Sequence, residues 1–401
     1  MHKSSTLHFL LFLSILIVPS TLPVIFYLLV LLFSLLLLLS NNSQLSKQSG
    51  VLLISVCIWA LFSAVVQALV HSDFALSDLK EVLKLFCICL SSAAILPIRK
   101  VYNPILHVFF AMLILFANTL FTLLQVSGNI IYFSPVGMSH IEVAVARPVG
   151  IFSNPTESSI ISFLILVMIT KYLTACSNKL FFPIVIALAF PPILLSGTRL
   201  TFVVLCVLLF CQFFLLLSSQ IFRTKYVIYS AIASFLFAFA LNFTDLLPAF
   251  TIARFFDLSE YSRLSGRWDL WYGNLEAFNY NSFFSLLFGT GRSGIDRHGM
   301  ISSVTDSSFL YILHQYGLPA LLVFIWICIS LLLRLTSSKC GPCDRSLIIL
   351  FVVGGLSYDI AASPKIMLLI LYVWNFCSCM TSVGKHILPE VRHRRNLALI
   401  S

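Results

Sequence analysis

Long apolar runs separated by short polar segments follow one another along the whole chain. Runs such as LFLLFLSILIV, FYLLVLLFSLLLLL and FVVLCVLLFCQFFLLL leave no polar face for water, and about 20 such residues cross one hydrocarbon core. The pattern predicts an all-α, polytopic integral membrane protein with about 12 transmembrane helices. We place these helices at residues 7–19, 22–40, 51–70, 81–96, 104–124, 157–174, 180–195, 199–218, 225–243, 306–333, 346–362 and 365–382.

The segments that connect the predicted helices differ sharply in length. Segments 125–156 and 244–305 are long, whereas the loops on the other side of the membrane are mostly ten residues or fewer. We therefore expect a single transmembrane domain over residues 1–401 with two large loops on one side, the second larger than the first. The first apolar run has no small-x-small cleavage site and leads directly into another span, so we expect it to be a retained helix.

Composition supports this class, and the charges predict an orientation. Hydrophobic residues make up 59% of the chain, against roughly 45–50% in soluble domains. With the N-terminus in the cytoplasm, 15 of the 25 basic residues but only two acids fall on the cytoplasmic side, which gives +13 there and −3 on the other side. This is the positive-inside pattern, and it places both termini in the cytoplasm and both large loops outside it. The basic balance is thus explained by topology and gives no reason to expect nucleic acid as a partner.

The basic residues on the outer side are mainly arginines. They comprise three lysines, Lys80, Lys84 and Lys365, and seven arginines, Arg147, Arg199, Arg254, Arg263, Arg267, Arg292 and Arg297. Topology requires only positive charge, whereas a planar guanidinium can bind two phosphate oxygens at once. The arginines therefore indicate a diphosphate site near the membrane surface. The alternative is that these arginines pair with acidic neighbours, which include Asp257, Glu260, Asp269 and Glu276.

Four short outer stretches sharpen this interpretation. RPVGIFSNPTESS, at residues 147–159, predicts an irregular turn before a helix that starts near Thr156, with Thr156 or Ser158 as its cap. LSGTRLTF places Arg199 at the outer end of a predicted helix, where a charge bordering the bilayer is costly without a partner. The apolar residues of SGRWDLWYGNLEAF have the spacing of a helix. Its aromatic residues suit either an interfacial belt or stacking on sugar rings. LFGTGRSGIDRHG is a glycine-rich loop, a weak signal by itself.

Carboxylates near these stretches are candidates for a general base. Asp306 stands where the second large loop meets the next helix, in the position of an N-cap, and Glu142, Glu157 and His140 belong to the first loop and its edge. Capping is the simpler role for Asp306. The alternative is that Asp306 or Glu142 takes a proton from a hydroxyl group. His314 lies two turns further along, and we expect it to be a packed interior histidine.

No pattern of metal ligands or disulfides stands out. Most of the 11 cysteines lie inside apolar runs, and the two large loops contain none. Cys340 and Cys343 form a lone CxxC in a short basic loop, whereas a structural zinc site needs four ligands. We expect two ordinary thiols there, no metal and no cofactor.

The order of these motifs resembles that of a known family. RPVGIFSNP, the helix mouth SGTR, SGRWDLW, GTGRSG and DSSFLYILHQYG follow one another as in the O-antigen polymerase and O-antigen ligase superfamily of bacterial inner membranes. The match covers roughly residues 140–330. Each motif is degenerate, so the specificity lies in their order.

The resemblance implies a GT-C-like fold with a long periplasmic loop and a metal-independent glycosyltransferase that uses undecaprenyl-diphosphate-linked sugars. It implies that the lipid diphosphate is bound by arginines, namely Arg147, Arg199, Arg267, Arg254, Arg263 and Arg292. It also implies a chain-length regulator protein as a partner, with the enzyme in the bacterial inner membrane.

One departure helps to choose within the superfamily. The ligase pattern has a histidine followed by Asn, Ser or Gln, nine residues and a glycine. Here Ser307 and Gly317 fit, but Asp306 stands in the histidine position. This form resembles the polymerase branch, which joins carrier-linked repeat units, rather than the ligase branch, which transfers glycan to the lipid A core. A secondary transporter and a flippase of lipid-linked sugars are the alternatives from other classes.

Overall fold

A computed structural model describes residues 3–18, 22–40, 47–71, 76–98, 101, 103–127, 148–152, 154–176, 181–196, 198–217, 267–278, 282–291, 307–337, 340–357, 360–361 and 363–398. These residues form helices and short connections, and no strand occurs among them. The helices are α1 (Lys3–Ile17), α2 (Pro23–Ser40), α3 (Lys47–His71), α4 (Leu76–Ile95), α5 (Pro104–Val126), α6 (Pro155–Ala175), α7 (Phe182–Leu195), α8 (Arg199–Leu217), α9 (Arg267–Ala277), α10 (Phe283–Phe288), α11 (Ser308–Leu335), α12 (Pro342–Ser357) and α13 (Pro364–Ala398).

Eleven of the twelve predicted spans coincide with helices of the structure, whose ends differ by a few residues. The remaining prediction, residues 225–243, lies outside the described residues. The last helix is the main difference, because it was expected to end at 382 and continues to Ala398. Apolar character stops near 382, but the residues that follow include Glu, Arg, Leu and Ala, which favour helix in water as well.

Several of the helices have the length and composition of membrane spans. Within the described part of the chain, five meet both requirements: Pro23–Ser40, Pro104–Val126, Pro155–Ala175, Ser308–Leu335 and Pro364–Thr381. Large apolar side chains such as Leu28, Phe109, Trp326 and Leu333 are more than half exposed on the outside of the bundle. An apolar exterior of this kind is compatible with a lipid environment.

Helix α6 lies at the centre of the bundle. It contacts α5, α7, α8, α12 and α13, and most of its residues are buried on every side. Ile160, Phe163, Leu164 and Leu166 are completely buried in the largest hydrophobic cluster. A helix that is apolar all round and enclosed by neighbours provides a rigid support for whatever lies at its ends.

Candidate functional site

Three helices that carry or follow sequence motifs, α6, α8 and α11, begin at the same end of the bundle as α13. The hydroxyl groups of Ser159 in α6 and Thr201 in α8 are hydrogen-bonded to each other. The backbone N–H of Ala361, just before α13, donates to the Ser308 hydroxyl at the start of α11 (3.0 Å). A buried ion pair described below joins the starts of α6 and α13. We call this end, defined by Pro155, Arg199, Ser308 and Pro364, the motif end.

The turn after Arg147 is fixed by two polar side chains of α5. The Gln125 amide oxygen accepts hydrogen bonds from the backbone N–H groups of Val149 and Gly150, both at 2.9 Å, and its NH₂ group donates to the Gly150 carbonyl at 2.9 Å. The Asn118 amide oxygen accepts from the N–H of Ile151 at 3.0 Å. Because every polar atom of this turn costs free energy when it is buried without a partner, these bonds favour one backbone conformation.

Gly150 is required in this turn for two reasons. Its φ of +61° lies in the left-handed region, and a Cβ atom would lie 1.9 Å from the Asn118 Oδ1. Asn118 also donates to the Ser158 and Ser162 hydroxyls, at 3.0 and 2.8 Å, so the same side chain joins the turn to α6. The glycine of the RPVG motif is thus explained by close packing against α5.

An ion pair is buried directly after this turn. Glu157 and Lys365 are each 2% exposed, and their charged atoms are 3.0 Å apart. The Lys365 ammonium also lies 4.9 Å from the centre of the Phe152 ring. Asn154 caps α6 by accepting from the N–H of Glu157 at 2.7 Å. The predicted caps, Thr156 and Ser158, are therefore wrong, because Asn154 supplies the capping oxygen and Pro155 begins the helix.

Helix α11 is broken near its start, where a second glycine motif packs against it. Gly317 has a φ of +80° inside α11, and a Cβ atom there would lie 2.1 Å from the Leu287 carbonyl oxygen. Gly289 has a φ of +79°, and its Cβ would lie 2.3 Å from the His314 carbonyl oxygen. That carbonyl, which the break releases from the helix, accepts from the N–H of Thr290 at 2.7 Å. The two glycines thus allow two backbones to touch.

The side chain of Gln67 in α3 is hydrogen-bonded to both α10 and α11. Its amide NH₂ group donates to the Phe288 carbonyl at 2.6 Å and to the Gln315 carbonyl at 2.9 Å. The Ser63 hydroxyl also donates to the Phe288 carbonyl. Both side chains, Gln67 and Ser63, are buried, and carbonyls without partners would be costly there. The ends of α3, α10 and the first part of α11 therefore form one hydrogen-bonded unit.

The start of α4 joins the same end of the bundle. The Tyr311 hydroxyl of α11 donates to the Glu81 carboxylate, and the Tyr316 hydroxyl donates to the Glu81 carbonyl at 3.3 Å. The Lys84 ammonium lies 2.6 Å from the other carboxylate oxygen of Glu81. Glu81 is 4% exposed, so its charge is met by one cation and one hydroxyl rather than by bulk water.

His314 is an interior histidine, as the sequence predicted. It is 2% exposed, its Nε2 donates to the Asn274 carbonyl of α9 at 2.9 Å, and the Phe278 ring packs edge-on against it with centroids 5.2 Å apart. Helix α9, predicted from SGRWDLWYGNLEAF, is confirmed. Its Tyr272 is 63% exposed, whereas Phe278 is buried.

The proposed catalytic and phosphate-binding side chains themselves fall beyond the described residues. Arg199 and Arg267 are the first residues of α8 and α9, but their side chains are outside the described part of the structure. Fully outside it lie His140, Glu142, Arg147, Arg254, Arg263, Arg292 and Asp306. The expectation that Asp306 is the N-cap of α11 is wrong, because Ser307 occupies that position and Ser308 begins the helix.

Sequence reasoning missed the polar side chains that hold the motifs in place. Asn118, Gln125 and Gln67 are uncharged, and Lys365 was counted only as a topological charge. A signal was present, because a polar side chain inside an apolar run is expensive unless it finds a partner. Among the described residues, no group of three or more His, Cys, Asp or Glu side chains is arranged to hold a metal ion. Cys340 is half-buried, and burial together with the nearby Asp344 charge raises the pKa of its thiol.

In the part of the chain that the structure describes, the helical fold and its apolar exterior define the class as an all-α membrane protein. Neither a protein-family model nor a curated protein sequence matches the chain.

Proposed function

We propose that this protein is an O-antigen polymerase. In this proposal it joins undecaprenyl-diphosphate-linked oligosaccharide repeat units into polysaccharide, on the periplasmic side of the bacterial inner membrane, with a GT-C-like arrangement of about 12 spans. The observation that carries the proposal is that four helices start together at the motif end. Three of these starts, those of α6, α8 and α11, carry or directly follow a motif, and the start of α13 contacts two of them.

Three of the candidate residues are adjacent in sequence to described residues of this end. Arg147 directly precedes Pro148 of the fixed turn, Arg199 is the first residue of α8, and Asp306 directly precedes Ser307. Helix N-termini carry partial positive charge and exposed N–H groups, which favour an anion nearby. Four of them, one of which begins with Arg199, favour a doubly charged group such as a lipid diphosphate. The motif end is also held rigidly, as a preorganised site requires.

The chemistry needs only groups of this kind. The bond between the anomeric carbon and the carrier's phosphate oxygen breaks, and the anomeric carbon forms a bond with a hydroxyl of the incoming repeat unit. The arginines stabilise the charge that develops on the departing diphosphate. Asp306 or Glu142 takes the hydroxyl proton, and bound geometry brings the acceptor into line. Undecaprenyl diphosphate leaves, and no metal or cofactor takes part in the proposed reaction.

One observation favours a second function. Helix α11 is interrupted at Gly317, and interrupted helices are typical of the substrate sites of secondary transporters. However, the carbonyls at this break are already bound by Gln67 and by the N–H of Thr290. Protein groups therefore satisfy the break, whereas a transporter leaves them for its solute or ion. The transporter alternative is tested with vesicles that contain the purified protein. Uptake of a labelled solute into these vesicles would support it.

The proposal is tested by lipopolysaccharide gels of a deletion strain. Loss of the ladder with one repeat unit left on the core supports a polymerase. Complete loss of repeat units from the core, with polymer remaining on the carrier, supports the ligase alternative. An unchanged ladder contradicts both. Complementation with Asp306→Asn then tests the base, because a normal ladder would exclude Asp306 from that role.

A further inference from the structure

Two histidines lie side by side in the interior of the bundle. His8 of α1 and His107 of α5 are 4% and 1% exposed, and their ring centroids are 5.5 Å apart. His107 is in the first turn of α5, whereas the opposite end of that helix, at Gln125, holds the RPVG turn. The pair is therefore separate from the motif end and from the proposed reaction. Ionisable side chains are costly inside a membrane protein, so a buried pair of them indicates a function of its own.

Hydrogen bonds orient both rings through the same nitrogen, Nδ1. The Nδ1–H of His107 donates to the Asn103 carbonyl at 3.2 Å, and because a carbonyl only accepts, Nε2 of the neutral ring carries a lone pair. His8 Nδ1 is hydrogen-bonded to the Tyr372 hydroxyl at 3.3 Å. Both Nε2 atoms are buried, and neither has a hydrogen-bond partner among the described residues. Histidines that bind metal ions have this arrangement, in which a neighbour orients one nitrogen and the other binds the ion.

The surroundings of the pair determine which ion it suits. Phe9, Phe12 and Phe376 pack around His107, with ring centroids 5.1, 5.4 and 6.4 Å from that of the imidazole. In the part of the chain that the structure describes, neither histidine forms an ion pair, and no third His, Cys, Asp or Glu completes a metal-binding group with them. The free energy cost of burying an ion rises with its charge when no counter-charge is present. Two neutral ligands in aromatic surroundings therefore suit a singly charged ion.

We propose that the Nε2 atoms of His8 and His107 bind one soft monovalent metal cation, copper(I). Imidazole is a good ligand for copper, and copper(I) accepts two ligands, whereas structural zinc almost always has four. An ion about 2 Å from each nitrogen holds two imidazole nitrogens up to about 4 Å apart. This agrees with neighbouring rings whose Nε2 atoms are not hydrogen-bonded to each other. The ion would join α1 to α5 and, through Tyr372, to α13, and its binding does not depend on the proposed function.

Nitrogen-15 NMR of the purified full-length protein tests the site directly. Protein labelled at its histidine nitrogens is titrated with copper(I) without oxygen, and glutathione is included to compete for ions at exposed thiols such as Cys176 and Cys206. Two Nε2 resonances should shift together as one copper binds per chain, and X-ray absorption should show two nitrogen neighbours. Unchanged Nε2 resonances, or sulfur neighbours alone, would overturn the proposal. Equal shifts with zinc at the same concentration would overturn the assignment to a monovalent ion.

Three substitutions separate the ligands from the group that orients one of them. His8→Phe and His107→Phe each remove one ligand and keep an aromatic ring in an aromatic cluster, so each should abolish the binding of this copper ion. Tyr372→Phe keeps both ligands but removes the hydroxyl bound to His8 Nδ1, and it should weaken binding about 10–100-fold. Full copper binding by His8→Phe or by His107→Phe would contradict the proposal.

His314→Gln is the matched control, since His314 is also buried but both of its ring nitrogens have partners. Its Nδ1 is 3.4 Å from the Thr290 hydroxyl, and its Nε2 is hydrogen-bonded to the Asn274 carbonyl. Glutamine keeps a donor for that carbonyl. This variant should bind copper as the wild type does, and loss of the ion from it would show that the assigned pair is not the site.

Thermal unfolding shows whether the ion binds the folded bundle. An ion that binds only the folded state raises the unfolding temperature. Copper should therefore raise the unfolding temperature of the wild type and of His314→Gln but not that of His8→Phe or His107→Phe. A rise in all four proteins would overturn the proposal, because the ion would then bind elsewhere. If a histidine variant does not fold without copper, the titration of the labelled wild type decides.

Discussion

Glu157 and Lys365 form a 3.0 Å ion pair in which both side chains are almost completely removed from solvent. The pair joins the first turn of α6, after the RPVG turn, to the first turn of α13. Breaking a buried pair leaves one charge without its partner, which costs far more than the pair itself contributes. This contact therefore makes the spacing of two helix starts sensitive to single substitutions.

We expect Glu157→Gln and Lys365→Met each to lower the free energy of unfolding by about 3–5 kcal/mol. The double variant should lose less than the sum of the two, because neither charge is then left alone. Thermal unfolding in detergent measures all three. Glu276→Gln is the control, since Glu276 is exposed on α9 and should change stability by less than about 0.5 kcal/mol. Two single variants as stable as wild type would refute the role of the pair.

The contact between α10 and the break in α11 predicts a contrast among glycines. Gly289→Ala and Gly317→Ala should each cost at least about 1–3 kcal/mol, because both need positive φ and both would bring Cβ onto a carbonyl oxygen. Gly273→Ala should be neutral or slightly stabilising, since its Cβ meets nothing within 4 Å in α9. Unfolding curves of the three variants give the answer, and three equal curves would show that the backbones do not touch.

The turn held by Gln125 links stability to activity. Gln125→Leu removes three hydrogen bonds to Val149 and Gly150, so the position of the preceding Arg147 should be less well defined. We expect a loss of about 1–3 kcal/mol and a weaker, shorter ladder on lipopolysaccharide gels. Ser127→Ala, at an exposed position of the same helix end, should leave both unchanged. A normal ladder with Gln125→Leu would separate this turn from the function.

The proposed orientation can be tested without any assay of activity. An alkaline phosphatase fusion after Ser259, in the second large loop, should be active because that loop is expected outside the cytoplasm. A fusion after Ser337, between α11 and α12, should be inactive. The reverse pattern would place the arginine-rich loop in the cytosol and remove the basis of the proposed site.

The helices could be predicted from the sequence because apolar runs of span length have few alternatives in a membrane. The local start of α6 could be predicted only approximately, because Asn154, Thr156 and Ser158 are all good caps and tertiary contacts decide among them. The pairing of Lys365 with Glu157 depends on packing between helices that are distant in sequence, which no local pattern records. The break at Gly317 was missed for the same reason, since its partner is the backbone of α10.

The most direct test of the central claim is charge removal at the arginines proposed to hold the diphosphate. Arg147→Gln, Arg199→Gln and Arg267→Gln are introduced singly into a plasmid that complements the deletion strain, with protein levels checked by immunoblot. Arg334→Gln, at an exposed position of the opposite end of α11, is the control. The account predicts that each of the three variants loses most or all of the lipopolysaccharide ladder while Arg334→Gln retains it. Full ladders from all three would contradict the account.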